Sequence, residues 1–383
     1  VLCDTFGYDF ETTLQKISKR TSEVTVATKV TKEELAKVYA SGLDGIYYSE
    51  DNFRYYPYGD FMTQVLGFCS SDGYGQTGIE SYYDKYLTGV NGQILTESDL
   101  IGRKSGDGNS YYLPAIDGMN VVTTLDAGIQ FIVEGAVRNA VAKFSPKGVM
   151  CAVMDYTSGG IVALCEYPSF DLNAVPRDDL QSLFENSKSK FISTVYEPGS
   201  TFKILTSAAA LDSGKVRTTD RFYCAGSRTV DGKRIRCWKA RGHGSIDFGQ
   251  GVESSCNCVF MDCALRMGTD SFYDYLRKFG LASKTGIDMT GETSGIFIRQ
   301  DLVKNVDLAR IGFGQAVAVT PIGLLSATSS VINGGVSVKP HLMDKITTAD
   351  GQVVAGSQLL GGERAVSEAT SDIMRQLLQR VVT

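Results

Sequence analysis

The sequence predicts an α+β chain built in two regions, and three observations support this. Two β-rich runs flank Thr157-Ser-Gly-Gly160, the signature of a hairpin. Segments of helical period stand on both sides of that hairpin. The chain has 383 residues, 43% of them hydrophobic, enough to bury at least one full core and to form two domains.

Residues 1–125 form the first region. Short helical patterns such as Thr31-Lys-Glu-Glu-Leu-Ala-Lys-Val38 alternate with Tyr- and Gly-rich turns such as Ser70-Ser-Asp-Gly-Tyr-Gly75, and no catalytic constellation is evident. Residues 126–147 connect the regions. The helix there begins at Asp126, an acid suited to capping, and carries Ile129, Val133 and Val137 on one side with Ile132 and Ala136 beside them. Residues 148–383 form the second region, with the hairpin followed by helical stretches at 201–212, 256–267, 271–279 and 320–333. A net charge of −5 supplies no basic patch, so nucleic acid is not an expected partner. No run of about eighteen apolar residues spans a bilayer.

The chemistry concentrates in Tyr196-Glu-Pro-Gly-Ser-Thr-Phe-Lys203. Pro198 and Gly199 end the preceding segment. Ser200 and Lys203 then share a helix face, because positions i and i+3 are neighbours. A hydroxyl nucleophile lies beside an amine base. Free N–H groups and the dipole at a helix start favour developing negative charge, as an oxyanion requires. Alone, Ser-x-x-Lys reads as an ordinary capping serine, and the surrounding text changes that.

The octapeptide resembles the signature of class B penicillin-binding proteins, and Ser255-Cys256-Asn257 resembles their Ser-x-Asn motif at a family-like separation. Gly148-Val-Met-Cys-Ala-Val-Met-Asp155 through Tyr167-Pro168 and Asn173 is similar to the opening hairpin of the transpeptidase domain. Arg310-Ile-Gly-Phe-Gly-Gln315 with Thr320-Pro321 is similar to a later signature. Upstream, Tyr56-Pro57-Tyr58-Gly59, Leu66-Gly67, Gly78-Ile79-Glu80 and Leu87-Thr88-Gly89 resemble the non-catalytic pedestal domain. The nearest resemblance is to the cell-division and spore-cortex members of Gram-positive bacteria.

This resemblance implies an elongated pedestal followed by a transpeptidase domain with a mainly antiparallel sheet between helices. It implies that Ser200 attacks the penultimate D-alanine carbonyl of a D-Ala-D-Ala stem peptide and holds the peptide as an ester until an amine takes it. Lys203 is the implied base, which requires a lowered pKa. Ser255 relays a proton toward the leaving group, and Asn257 orients Lys203 and the substrate amide. A β-lactam would trap the same ester. The implied partners are stem peptides, β-lactams and a membrane-embedded glycan polymerase, with no organic cofactor. The implied location is the extracytoplasmic face of the cell membrane, through an N-terminal helix expected upstream of Val1 together with the first pedestal strand.

The family's third motif, Lys-Thr/Ser-Gly on a strand edge, is expected well downstream of the second. Lys284-Thr285-Gly286 spells it, but in a turn-rich segment followed by Ile287, and a motif counts only in its structural context. Gln379-Arg-Val-Val-Thr383 resembles the text just before the genuine motif. The chain as written is therefore expected to lack an oxyanion donor worth about 3 kcal/mol and to be nearly inactive, although its parent is an enzyme.

The nine cysteines supply a second signal. Cys224, Cys237, His243 and Cys256 fall at spacings of 13, 6 and 13 residues, and three thiolates with one imidazole suit a structural Zn2+ site. The set also resembles a zinc site of some rod-shape and clostridial penicillin-binding proteins. On a helix, Cys256 would diverge by about 100 degrees from its neighbours and point backward from the substrate side. Asp247 is the reserve ligand. The alternative is a Cys224–Cys237 disulfide across the Asp231-Gly232 turn, which leaves His243 and Cys256 without a role. Cys151 and Cys165 sit symmetrically about the Gly-Gly turn and read as buried thiols. Cys258 and Cys263 read as core, Cys3 and Cys69 have no assigned role, and Trp238 reads as an aromatic packed beside the metal site, with the wall of the cleft as its alternative place.

Two other function classes compete. A serine β-lactamase-type hydrolase shares Ser-x-x-Lys but needs a water-activating carboxylate, a role not assigned to Glu197. A non-catalytic β-lactam sensor or scaffold is the other.

Overall fold

The computed structural model describes residues 1–21, 23–49, 53–96, 110–357 and 362–382. Contacts divide the chain into two compact units, Val1–Tyr55 and Tyr56–Thr383. In the first, Asp9 caps the helix Phe10–Ile17 by accepting from Thr12 N. Thr31 and Glu34 form a reciprocal capping box at the start of Lys32–Ala40, which is why the polar run at 31–34 starts a helix where the sequence expects one.

Residues 56–125 pack into the larger unit. Val65, Ile79 and Tyr83 share a core with Ile161, Leu164, Ile192 and Ile322 of the hairpin and later helices. Tyr56 and Asn173 exchange two hydrogen bonds, and Tyr83 donates to the buried Asp288. Strand Asn120–Thr123 pairs with Met343–Thr347, which also pairs with Val353–Gly356. All paired strands among the described residues run antiparallel. The α+β class stands, and the hairpin strand Ile161–Tyr167 packs between Val133 and Val137 on one face and Ile192 and Ile322 on the other.

The connecting helix is Ala127–Phe144, capped by Asp126. Its buried stripe is Gln130, Val133 and Val137, whereas Ile129 and Ile132 are exposed, which departs from the expected apolar side. The cause is a backbone match. Gln130 Nε2 donates to Leu164 O and its Oε1 accepts from Leu164 N, so a fully satisfied amide takes the inward position that hydropathy assigns to an isoleucine.

The hairpin pairs Val149–Met154 with Ile161–Tyr167. Its turn is tied by Asp155, whose carboxylate accepts from Thr157 and Ser158. Cys151 and Cys165 are direct cross-strand partners and carry no disulfide.

The largest core lies among four helices, Lys203–Asp212, Asn257–Lys278, Pro321–Ile332 and Glu368–Gln379. Ala208, Ala209 and Ala210 are fully enclosed, which brings neighbouring helices close to the segment carrying Lys203. Thr320 caps the third of these helices and Pro321 occupies its first turn. Gly268, at φ 75 and ψ 165, breaks Asn257–Lys278, so the two stretches expected at 256–267 and 271–279 are the halves of one interrupted helix.

Candidate active site

The turn that presents Ser200 is short and tightly held. A 3-10 turn, Gly199–Phe202, leads directly into the α-helix Lys203–Asp212, so Ser200 stands before the regular helix while Lys203 opens it. Gly199 N donates to Gly314 O at 2.9 Å. Gly314 has φ +80, and a Cβ there would lie 2.0 Å from Gly199 O, so this position of Arg310-Ile-Gly-Phe-Gly-Gln315 accepts only glycine. Glu197 Oε1 accepts from Ala316 N at 2.8 Å, fixing the turn at its other side. Ser200 itself is exposed.

The Lys203 amine is the hub. It lies 3.1 Å from Ser200 Oγ, 2.9 Å from both Ser255 O and Ser255 Oγ, and 2.7 Å from Asn257 Oδ1. The Lys203 residue is 4% exposed, and Phe260 lies beneath the amine at 5.4 Å. Burial lowers its pKa to about 8, against the attraction of Cys237 and Cys256, which raises it. At that value roughly a tenth of the amine is neutral at pH 7. A neutral amine can accept a proton from either serine hydroxyl.

Ser255 and Asn257 reach Lys203 by an irregular backbone. Ser255 has φ +48, Cys256 is extended at φ −74 and ψ 110, and Asn257 is the first residue of its helix. The separation of Cys256 from its neighbours therefore comes from this kinked entry and not from the helical divergence expected. Asn257 Nδ2 donates to Arg236 O at 3.2 Å, which fixes the amide with its oxygen toward Lys203.

Behind this site the four expected ligands converge. Single donor atoms of Cys224, Cys237, His243 and Cys256 all lie within 4.8 Å of one another. The cysteines are buried and His243 is half-buried. Cys224 and Cys237 arrive on either side of the hairpin Ser227–Val230 with Lys233–Arg236, whose turn is Asp231-Gly232. No disulfide joins them. The Cys258 thiol, donating to Cys256, is the first cause that holds the Cys256 pKa down at about 5, with His243 contributing. Burial pushes Cys237 up.

Asp247, the reserve ligand, is engaged elsewhere as the cap of Phe248–Glu253. Lys284-Thr285-Gly286 lies outside any strand. Glu292 accepts from Thr285 N, Thr285 Oγ1 and Gly286 N, so that segment is a carboxylate-pinned turn. Cys258 and Cys263 are fully buried. Two contributors escape sequence reasoning, Gly314 and the brace Glu197–Ala316: Gly314 and Glu197 lie inside recognised motifs, yet nothing in one sequence says which backbone they approach. Trp238 stands edge-on to His243, with ring centroids 5.4 Å apart.

Residues 149–383 match the family model of the penicillin binding protein transpeptidase domain, and residues 2–123 match the penicillin-binding protein dimerisation domain. The chain is 36% identical over 379 residues to stage V sporulation protein D of Bacillus subtilis, covering 98% of this chain and 57% of that protein. It is 27% identical over 294 residues to the peptidoglycan D,D-transpeptidase FtsI of Escherichia coli, covering 77% of this chain and 48% of that one. The chain thus spans about half the length of these curated relatives. Among solved structures, a peptidoglycan synthetase from Bifidobacterium adolescentis superposes with a TM-score of 0.80 at 26% identity, over 99% of this chain and 68% of the other. Penicillin binding protein 3 of Mycobacterium tuberculosis, complexed with aztreonam, gives 0.75 at 26% identity, over 87% and 70%.

Proposed function

This chain belongs to the penicillin-binding protein transpeptidase family, and on that premise we propose that it serves a serine-type peptidoglycan D,D-transpeptidase. The observation that carries the reading is the buried Lys203 amine, in reach of Ser200, Ser255 and Asn257 at once and lowered to about 8. In this reading Ser200 Oγ attacks the penultimate D-alanine carbonyl while Lys203 takes its proton. The C–N bond breaks, the terminal D-alanine leaves with a proton passed through Ser255, and an ester remains on Ser200. A stem-peptide amine then attacks that ester, forming the cross-link and returning the proton to Ser200. Proton transfer of this kind contributes about 10²–10⁴-fold. Asn257 holds Lys203 and the substrate amide in register.

A β-lactam would be held as the same ester; penicillin binding protein 3 of Mycobacterium tuberculosis, to which this chain is similar, has been solved complexed with aztreonam and with ampicillin. Fluorescent penicillin with Ser200→Ala as control tests this. Ser200-dependent labelling of the whole protein is expected, and equal labelling of the variant would defeat the reading. Steady hydrolysis of penicillin would favour the β-lactamase-type alternative, although Glu197 is occupied by Ala316 N. Labelling without cross-linking of stem peptides would favour a sensor or scaffold. The expected glycan polymerase and membrane tether belong to the same proposal, and co-purification from membranes tests them. No described helix is long and apolar enough to cross a membrane.

We also propose that Cys224, Cys237, His243 and Cys256 hold a structural Zn2+. Three sulfurs and one nitrogen within 4.8 Å of one another fit a closed four-ligand set with Zn–S bonds of about 2.3 Å. The metal's contribution would be rigidity behind Cys256, between Ser255 and Asn257. Elemental analysis of metal-replete protein should return one zinc per chain, and a zinc-free result would remove the proposal.

A further inference from the structure

Trp238 is 65% exposed, yet two directional contacts fix it. Its Nε1–H donates to Ser254 O at 3.0 Å. Its ring meets His243 edge-on, with centroids 5.4 Å apart and planes at 66°. The carbonyl it binds belongs to the peptide unit immediately before Ser255, whose φ of +48 is a conformation that residues other than glycine rarely hold unaided. Rotation of that peptide plane is the motion by which Ser255 would relax. It would swing Ser255 O and Oγ away from Lys203, each now 2.9 Å from the amine.

The same segment binds the far side of the motif, since Arg236 O accepts from Asn257 Nδ2 at 3.2 Å. Residues 236–238 therefore bracket 254–257 with one hydrogen bond at each end. The two bonds run in opposite senses, a side-chain donor to a backbone acceptor from each segment. Between them, Ser255 N and Cys256 N donate to Val252 O and Gly251 O at 3.0 and 2.9 Å, so the indole bond holds the carbonyl side of a peptide plane whose N–H side is already tied.

We propose that Trp238 is a positioning residue, whose indole N–H restrains the Ser254 carbonyl and thereby keeps Ser255 in its left-handed conformation against Lys203. This rests on the acyl-transfer reading for its consequence, but the restraint itself is independent of that reading. Because Trp238 is the only tryptophan in the chain, replacing tryptophan throughout with benzothienylalanine removes one N–H and keeps the ring shape. Trp238→Phe serves as a second variant.

Two measurements separate the outcomes. Deuterium exchange of the peptide containing residues 254–257 should accelerate by about tenfold in both variants without a comparable change elsewhere. The penicillin acylation rate constant at saturation should fall by about tenfold or more, with the half-saturating concentration within about twofold of the parent. Unchanged exchange overturns the proposal, and so does a loss confined to the half-saturating concentration, which would make the indole a substrate contact. If the parent protein is not acylated at all but exchange accelerates in the variants, the restraint stands and the acyl-transfer reading falls.

Discussion

The Lys203 amine donates to Asn257 Oδ1 at 2.7 Å, the shortest of its contacts, across 54 residues of sequence. A neutral amide there tolerates either protonation state of the amine. A carboxylate would not. In Asn257→Asp the new charge should raise the Lys203 pKa by about 1–3 units, so acylation at pH 7 should fall by at least about tenfold and recover as the pH approaches about 10. Stopped-flow acylation measured across pH distinguishes this from misfolding, which would give no recovery.

The parent protein should show its own pH limb. Only the unprotonated amine can accept the Ser200 proton, so the acylation rate should rise with pH, level off above about 8, and fall about tenfold per unit below it. A profile flat from pH 6 to 8 would exclude Lys203 as the base. The stability linkage has a matching sign. The native pKa lies below the ordinary 10.5, so the unfolded chain binds the extra proton between these values, and the Lys203 contribution to stability rises with pH through that window.

Gly314→Ala tests the support of the Ser200 turn. The substitution combines φ +80 with a Cβ only 2.0 Å from Gly199 O. Left-handed strain alone costs roughly 1–2 kcal/mol, and the clash must also displace Gly199, next to the nucleophile. Gly214→Ala is the matched control, with φ +67 and nothing within 4 Å of the added carbon. Both variants should melt lower, and only Gly314→Ala should lose most of its acylation rate. Equal rates in the two would show that the Gly314 contact does not hold Ser200 in place.

What the sequence reveals divides along a physical line. Ser200 and Lys203 are legible because local helical geometry alone brings i and i+3 together. The hairpin turns at Thr157-Ser-Gly-Gly160 and Asp231-Gly232 are legible because turn chemistry is local. The four ligand candidates are legible by side-chain type, and their convergence within 4.8 Å depends on a hairpin that returns Cys237 beside Cys224. The exposure of Ile129 and Ile132 is not legible, because the inward place of Gln130 is decided by the Leu164 backbone, 34 residues away. Asp247 reads as a reserve ligand because carboxylates bind metals, but its local bond from Gln250 N makes it a cap. Trp238 and Glu197 act through backbone atoms of distant segments, and no residue pattern encodes which carbonyl or amide a side chain will meet.

The zinc proposal makes the most demanding prediction, because it ties stability to a residue outside the site of chemistry. Cys224 is fully buried on the strand Arg221–Cys224 and pairs with Gly244. If it is a ligand, Cys224→Ser should release the zinc, whereas Cys263→Ser, at an equally buried thiol outside the cluster, should retain it. Structural zinc sites contribute of the order of 10 kcal/mol in small domains, so removal by a chelator or by Cys224→Ser should lower the melting temperature by about 10 °C or more. Penicillin labelling should weaken in parallel, since Cys256 stands between Ser255 and Asn257. Cys263→Ser should show neither loss of metal nor the larger thermal shift. A chelated protein that melts at the same temperature as the untreated one would mean that the four side chains pack together without a metal.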